Sequence, residues 1–356
     1  MRGRDRRRLR GGDALKPVLF VTNHVPPDRA GAFAALADRV PLRLVLFGGP
    51  SQHATEGVDN LDVPHEQVTE RDVRALAGSH EHSFVVAGTV GRRALPGAYA
   101  GARRSGTPFV LWSALWHQPR SPAHLAAAPL VRHIHTTAHA VVTYGPHVTA
   151  FARRLGARRV HVAPQAVDGR FWERGDVTPD RRAPFQVLFA GRDVAGKGVD
   201  VLLAAWARAG LGDAALVLAG VDADRAHRAD GRETHAVGVL APEQIRNLMG
   251  GSDVVVIPST RTATFREPWG LVANEAMHLA LPVIASTEVG AAAGGLVRHA
   301  RNGLIVPAGD AGALAGALRE LAADGTLRAR LGLAARRDVQ PFSHDAWAAG
   351  LAEALH

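Results

Sequence analysis

Short apolar runs recur along the chain, each followed by a stretch with apolar residues at helical spacing. Residues 18–23 (VLFVTN) read as a first strand. A Pro/Gly-bearing loop, HVPPDRAG, follows it, and then a helix through AFAALADRV. Residues 42–47 (LRLVLF), 84–87, 109–112, 141–144 and 160–163 are further strand candidates, and a helix runs through 151–155. After a polar, turn-rich stretch over residues 172–184 (WERGDVTPDRRAP) the alternation restarts. Strands are expected at 186–190, 215–219, 254–257, 282–285 and 304–306. Helices are expected at 198–209, 242–249, 270–280, 311–323, 327–339 and 345–355. Strands alternating with helices predict parallel sheets built from βαβ units.

This pattern divides the chain. A disordered basic tail is expected over residues 1–15, a first Rossmann-like domain over 16–168, a linker over 169–184 and a second Rossmann-like domain over 185–340. A last helix, residues 341–356, is expected to cross back to the first domain. Two such α/β domains facing each other make a cleft, and open α/β sheets bind ligands at the carboxyl ends of their strands.

Composition narrows the chemistry. The chain has no cysteine, which excludes disulfides, thiol catalysis and thiolate metal sites. No apolar run is long enough to span a membrane, and no apolar segment follows the Arg-rich start as a secretory signal requires. A cytoplasmic location is the default expectation, with peripheral contact at the inner face of the membrane left open. The net charge is +9, but residues 1–10 (MRGRDRRRLR) hold six Arg against one Asp and so carry most of it. The rest of the chain shows no strong basic stripe, so nucleic acid is not expected as a partner. Residues 92–104 (RRALPGAYAGARR) mix cations with apolar residues, which leaves contact with anionic lipid open, although a solvated basic face is the simpler reading.

Two stretches carry chemistry. In FREPWGLVANEAMHLALPVIA, residues 265–285, Glu267 precedes a helix and Glu275 lies inside it, with Pro268 and Gly270 at the start. The first amides of a helix lack intrahelical partners and carry the positive dipole end, which makes them a site for phosphate. Glu275 stands five residues past Gly270, roughly 7–8 Å further along, the reach from a diphosphate to its ribose hydroxyls. In VLFAGRDVAGKGVDVLL, residues 187–203, a strand ends and Gly191, Arg192, Gly196, Lys197 and Gly198 precede a helix. Small residues let a phosphate approach the backbone, and two cations face it; the spacing is not that of a P-loop.

These residues resemble the retaining glycosyltransferases of family 4, the group 1 glycosyltransferases with the GT-B fold. The likeness runs over roughly residues 141–342. GRDVAGKG is similar to the family's donor-phosphate loop, which implies that Arg192 and Lys197 bind the diphosphate. EPWGLVANE is similar to its pair of Glu separated by seven residues, implying that Glu267 contacts the donor sugar and Glu275 the ribose. Pro268, Trp269, Gly270, Leu271 and Gly191 join the implied donor site. Val239 and Leu240 are placed near the base, Gly31 near the donor phosphate, and His117 near the reaction centre. Residues 286–310 and the stretch VTYGPHVTAFARRLGARRVHVAPQAVDGRFW resemble the family's corresponding segments. Trp269 stands where Phe is common, and His278 and Ala280 stand where small residues and Gly are usual.

The resemblance implies a retaining, metal-independent hexosyl transfer from a nucleoside-diphosphate sugar, UDP favoured and GDP admitted. The acceptor would be a glycan, a lipid-linked molecule or a natural product, and no cofactor would be required. A nucleotide-sugar epimerase or sugar phosphorylase of the same fold is one alternative. A non-catalytic nucleotide- or nucleic-acid-binding protein is another. The His-rich run RHIHTTAH offers His133, His135 and His139, of which the last two would share a helix face; a structural role is the simpler reading.

Overall fold

The computed structural model describes residues 16–48, 63–173, 175–226 and 233–356. The basic tail expected over residues 1–15 lies outside them. In the first half, β1 (Val18–Thr22), α1 (Pro27–Ala37), β2 (Leu42–Leu46), β3 (His65–Gln67), α2 (Val73–Ala77), β4 (Phe84–Gly88) and α3 (Ala94–Ser105) lead to β5 (Phe109–Ser113). Then come α4 (Pro122–Thr137), β6 (Ala140–Thr143), α5 (Pro146–Arg154) and β7 (Val160–Val162). All seven strands pair in parallel, in the order β3-β2-β1-β4-β5-β6-β7.

A single helical turn, α6 (Gly169–Trp172), opens the segment between the halves. The second half holds β8 (Phe185–Ala190), α7 (Val199–Ala209), β9 (Ala214–Ala219), α8 (Ala223–Ala226), β10 (Thr234–Gly238), α9 (Pro242–Gly250), β11 (Val254–Ile257) and α10 (Val272–His278). It ends with β12 (Val283–Ser286), α11 (Gly290–Ala293), β13 (Gly303–Val306), α12 (Ala311–Ala323), α13 (Gly325–Val339) and α14 (His344–Glu353). Its six strands are again all parallel, in the order β10-β9-β8-β11-β12-β13. The expected fold class, two Rossmann-like parallel sheets, is the one observed. The inner strands read as continuous apolar runs because helices cover both faces of each sheet.

The connecting segment is not loose. Arg246 donates to the Phe171 carbonyl at 2.7 Å, Thr178 N–H to Asn247 Oδ1 at 3.1 Å, and Arg181 to the Gly251 carbonyl at 2.9 Å. At the other end of the chain α14 packs on α1 and β7. Its Trp347 lies edge-on to Trp112 and tilted against Phe33, with ring centroids 5.8 and 5.2 Å away. The chain therefore crosses from one half to the other twice.

The structure corrects three local expectations. The helix expected at 270–280 is shorter, Val272–His278, because Gly270 sits at φ +89° and Ala280 turns the chain with φ +57°. Gly31 is not in a loop but inside α1, which starts early because Pro27 presets the first helical φ. His139 lies beyond the end of α4, so it shares no helix face with His135. His135 Nδ1 instead donates to the Val131 carbonyl at 2.7 Å, and His139 Nε2 accepts from Arg159 at 3.0 Å.

Ala280 occupies the position after α10 where glycine is favoured, with Leu281 N–H closing onto the Ala276 carbonyl at 3.0 Å. A left-handed conformation costs an L-residue about 1–2 kcal/mol, part of which glycine gives back as extra freedom in the unfolded chain. Ala280→Gly is therefore expected to raise stability by roughly 0.5–1 kcal/mol. Urea unfolding should show a higher midpoint at unchanged slope; an unchanged or lower midpoint contradicts this.

Candidate active site

Parallel sheets of this order reverse their winding direction once, and the crevice outside the strand ends at that point is where ligands bind. In the second sheet the reversal lies between β8 and β11. The loop after β8 is the glycine-rich segment 191–198, and the loop after β11 runs over 258–271 and carries Glu267. Both stretches singled out in the sequence thus emerge side by side. Thr260 N–H donates to the Gly196 carbonyl at 2.8 Å and ties the loops together. Gly198, at φ +77°, passes so close to Pro258 that a Cβ would overlap its carbonyl oxygen, and at Gly196 a Cβ would overlap the Phe265 ring.

Lys197 and Glu267 meet at this junction, with Nζ 2.5 Å from Oε2. Ser259 Oγ donates to the same oxygen at 3.1 Å, and the Lys197 ammonium stands 5.6 Å from the centre of the Phe265 ring. Glu267 is 5% exposed. A carboxylate so far from water requires a cation and a hydrogen-bond donor, and it has both. Arg192, in contrast, is exposed, and its side chain has no partner among the described residues. Asp193 beside it is engaged by Arg225 at 2.6 Å and offers Arg192 no competing charge. Among the described residues, the end of β8 thus presents a paired cation, Lys197, and an unpaired one, Arg192.

The segment after Glu267 supplies backbone rather than side chains. Trp269 is 2% exposed, and its indole donates to Asn274 Oδ1 at 2.7 Å, so its ring is turned into the core. Asn274 in turn donates to the Gln165 carbonyl at 3.0 Å. Ala273 N–H bonds back to the Gly270 carbonyl at 3.0 Å, which leaves the amides just before it, around Leu271, as the unpaired ones at the helix start. Val239, 75% exposed, and Leu240 follow β10 on the same rim of the sheet.

Glu275 sits at the boundary between the halves. Burial, and then the negative charge of Asp28 on α1, push its carboxyl up to about 8. Asp28 was not among the sequence candidates; no local pattern marks it, because its relevance comes from α1 facing α10. Gly31, one turn further along α1, is shaped by packing: a Cβ there would overlap the His344 ring.

The first half contributes the loop after β5. His117 is 7% exposed, and neither ring nitrogen has a partner among the described residues. Burial, then Arg261 and Arg266, lower its pKa against the opposing pull of Glu288, so it presents a neutral imidazole with one donor and one acceptor. Three contacts hold this loop against the second half. Arg120 N–H donates to the Ala263 carbonyl at 2.7 Å, and the Arg266 guanidinium stacks 3.4 Å from the centre of the Trp116 ring while pairing with Glu288. His147, missed in the sequence, stands edge-on to Trp116 at 4.9 Å, and its Nε2–H donates to the Pro268 carbonyl at 3.1 Å. His147 was hidden because it looks like an ordinary first-turn residue of α5. Its significance is visible only when Pro268 comes to meet it.

Lys197, Glu267 and Gly270, with the free Arg192, therefore gather on the rim of the second sheet, Glu275 lies at the boundary with the first half, and His117 belongs to the facing loop. Such a set can bind a diphosphate at the cations and backbone amides, with hydroxyl-bearing groups at the two carboxylates.

Residues 176–338 match the family described as glycosyl transferases group 1. A D-inositol 3-phosphate glycosyltransferase of Streptomyces avermitilis is 36% identical over 117 residues, 32% of this chain and 23% of that protein. The corresponding protein of Streptomyces coelicolor is 37% identical over 117 residues, with the same coverage. The match thus spans less than a quarter of those curated relatives. Among solved structures, Anabaena HepE in complex with UDP and glucose superposes with a TM-score of 0.75 at 20% identity, over 95% of this chain and 98% of that one. A glycosyltransferase from Rickettsia africae gives 0.76 at 15% identity, over 96% and 98%. Sucrose-phosphate synthase from Thermosynechococcus elongatus gives 0.74 at 20%, over 95% and 98%. The fold is GT-B.

The raised Glu275 pKa sets a pH dependence. The folded state holds this proton more tightly than the unfolded chain, whose value is near 4.5. The resulting stability is fully present below that value and is lost as pH rises to about 8. Glu275→Gln has no proton to lose, so its stability advantage over the parent should grow from pH 5 to pH 8 and then level off. Urea midpoints of both proteins across that range test this; a difference independent of pH contradicts it.

Proposed function

We propose that this protein transfers a hexosyl group from a nucleoside-diphosphate sugar to an acceptor held by the first half, a reading supported by the match of residues 176–338 to the group 1 glycosyl transferases. The observation that carries this reading is the convergence of Lys197, Glu267 and the free Arg192 at the winding reversal of the second sheet. The diphosphate lies against Arg192, Lys197 and the amides near Leu271. When it arrives, Lys197 turns from Glu267 toward phosphate, and the released carboxylate accepts hydroxyls of the sugar. Glu275 holds the ribose. Val239 and Leu240 border the base. The UDP and UDP-glucose bound by HepE support UDP as the donor nucleotide.

Cleaving the bond from sugar carbon to diphosphate oxygen builds positive charge on the sugar and negative charge on the leaving group. Fixed cations and amides stabilise that negative charge with no metal required. A front-face attack, in which the departing phosphate oxygen takes the acceptor proton, gives retention and needs no protein nucleophile. His117, neutral and unpartnered, is placed to hydrogen-bond the donor sugar. The acceptor is a glycan, a lipid-linked molecule or a natural product, approaching along the loop after β5. The relatives' names include a D-inositol 3-phosphate transferase and a sucrose-phosphate synthase, so hydroxyl-rich acceptors fit the reading.

Purified protein with a UDP-sugar and an acceptor panel tests it. Lys197→Ala and Glu267→Ala should each nearly abolish transfer. Arg192→Ala should lower kcat about 10²–10³-fold, equivalent to roughly 3–4 kcal/mol of transition-state stabilisation. Full activity in any of these variants refutes the site. Chelation with EDTA should leave the rate unchanged; loss of activity restored by a divalent cation refutes metal independence.

A further inference from the structure

Helix α4 packs unlike any other long helix of the described chain. From Pro122 to His133 no residue is buried, and only Ile134 and His135 in the last turns enter the core. Leu125 is 56% exposed and Leu130 40%. A helix of about three turns that buries no face is marginal in water, and Pro129 removes one of its internal hydrogen bonds. Ser121 caps it, with its hydroxyl accepting from His124 N–H at 3.4 Å, but a cap alone does not cover its apolar surface.

The surroundings define what would cover it. The helices α2, α3, α4 and α5 share one face of the first sheet, where Val73, Tyr99, Ile134 and Ala152 join one core cluster. None of these four helices contains an Asp or Glu, while they carry six Arg, all exposed, and none is in an ion pair among the described residues. Two acids stand just before α2, where Glu70 accepts from the amides of Arg93 and Ala94 and Asp72 accepts from Thr69, and the six arginines outnumber them. We propose that this face docks on an anionic bilayer surface, with the exposed turns of α4 lying among the headgroups and the arginines of α2, α3 and α5 against their phosphates.

Cationic surface beside exposed leucines on a helix is the pattern of an interfacial element. A polyanion such as RNA would satisfy the arginines but leave Leu125 and Leu130 in water. The face also lies where docking matters. Arg120, one residue before the α4 cap, bonds across the cleft to Ala263, so α4 begins at the cleft mouth. The proposal stands on surface chemistry and does not depend on the reaction proposed above.

Sedimentation of the full chain with phosphatidylcholine vesicles, with and without phosphatidylglycerol, tests it. Binding is expected only with the anionic lipid and should weaken at high salt. Leu125→Asp with Leu130→Asp should reduce partitioning about tenfold or more, as should Arg103→Glu with Arg104→Glu. Replacing Arg6, Arg7 and Arg8 by Ser in the full chain should leave most of the binding in place. The proposal is overturned if the anionic vesicles bring down no protein, or if the leucine variant binds as the parent does. It is overturned equally if the tail replacement alone removes binding, or if the chain binds RNA but not vesicles.

Discussion

A lysine ammonium and a buried carboxylate 2.5 Å apart hold the proposed centre of this molecule together. Lys197 and Glu267 come from loops on neighbouring parallel strands, and neither group is stable there alone. Without Lys197 the carboxylate would be a buried charge with only Ser259 to satisfy it. Without Glu267 the ammonium would lie among Phe265 and backbone with no counter-charge. In the reaction proposed above, an incoming diphosphate would draw the ammonium from the carboxylate and free that carboxylate for hydroxyls.

Sheet topology makes that meeting possible. Because β8 and β11 are adjacent where the winding reverses, their following loops have nothing between them and fold onto each other. Glycine at 196 and 198 allows this approach, since side chains there would strike Phe265 and Pro258. The first half then closes over the rim through His147, Arg120 and Trp116. At the other side Asp28 faces Glu275, two acids that repel unless one keeps its proton. The boundary between the halves is thus held by contacts at one end and carries an acid pair that keeps a proton at the other.

Much of the fold was legible because central strands buried on both faces must be apolar, and Val254–Ile257 or Val141–Val142 have no other reading. Two edge strands escaped for the opposite reason. His65–Gln67 and Thr234–Gly238 are only partly buried and carry polar residues. Helix α3 was hidden by Pro96, Gly97 and Gly101, and α4 by Pro129 and by an apolar composition with no separate polar face. Glu267 and Lys197 were legible because motif spacing encodes local geometry. Asp28 and His147 were not, since each acquires meaning only from a partner more than a hundred residues away. Trp269 was over-read: within the motif it suggests a ligand contact, but its ring faces the core.

The most direct test is a crystal structure of the protein grown with UDP. The account predicts the diphosphate within hydrogen-bond reach of Arg192 and Lys197, Lys197 drawn from Glu267, and the ribose hydroxyls on Glu275. A nucleotide bound elsewhere, or one that leaves the Lys197–Glu267 contact intact with its phosphates away from Arg192, would contradict it.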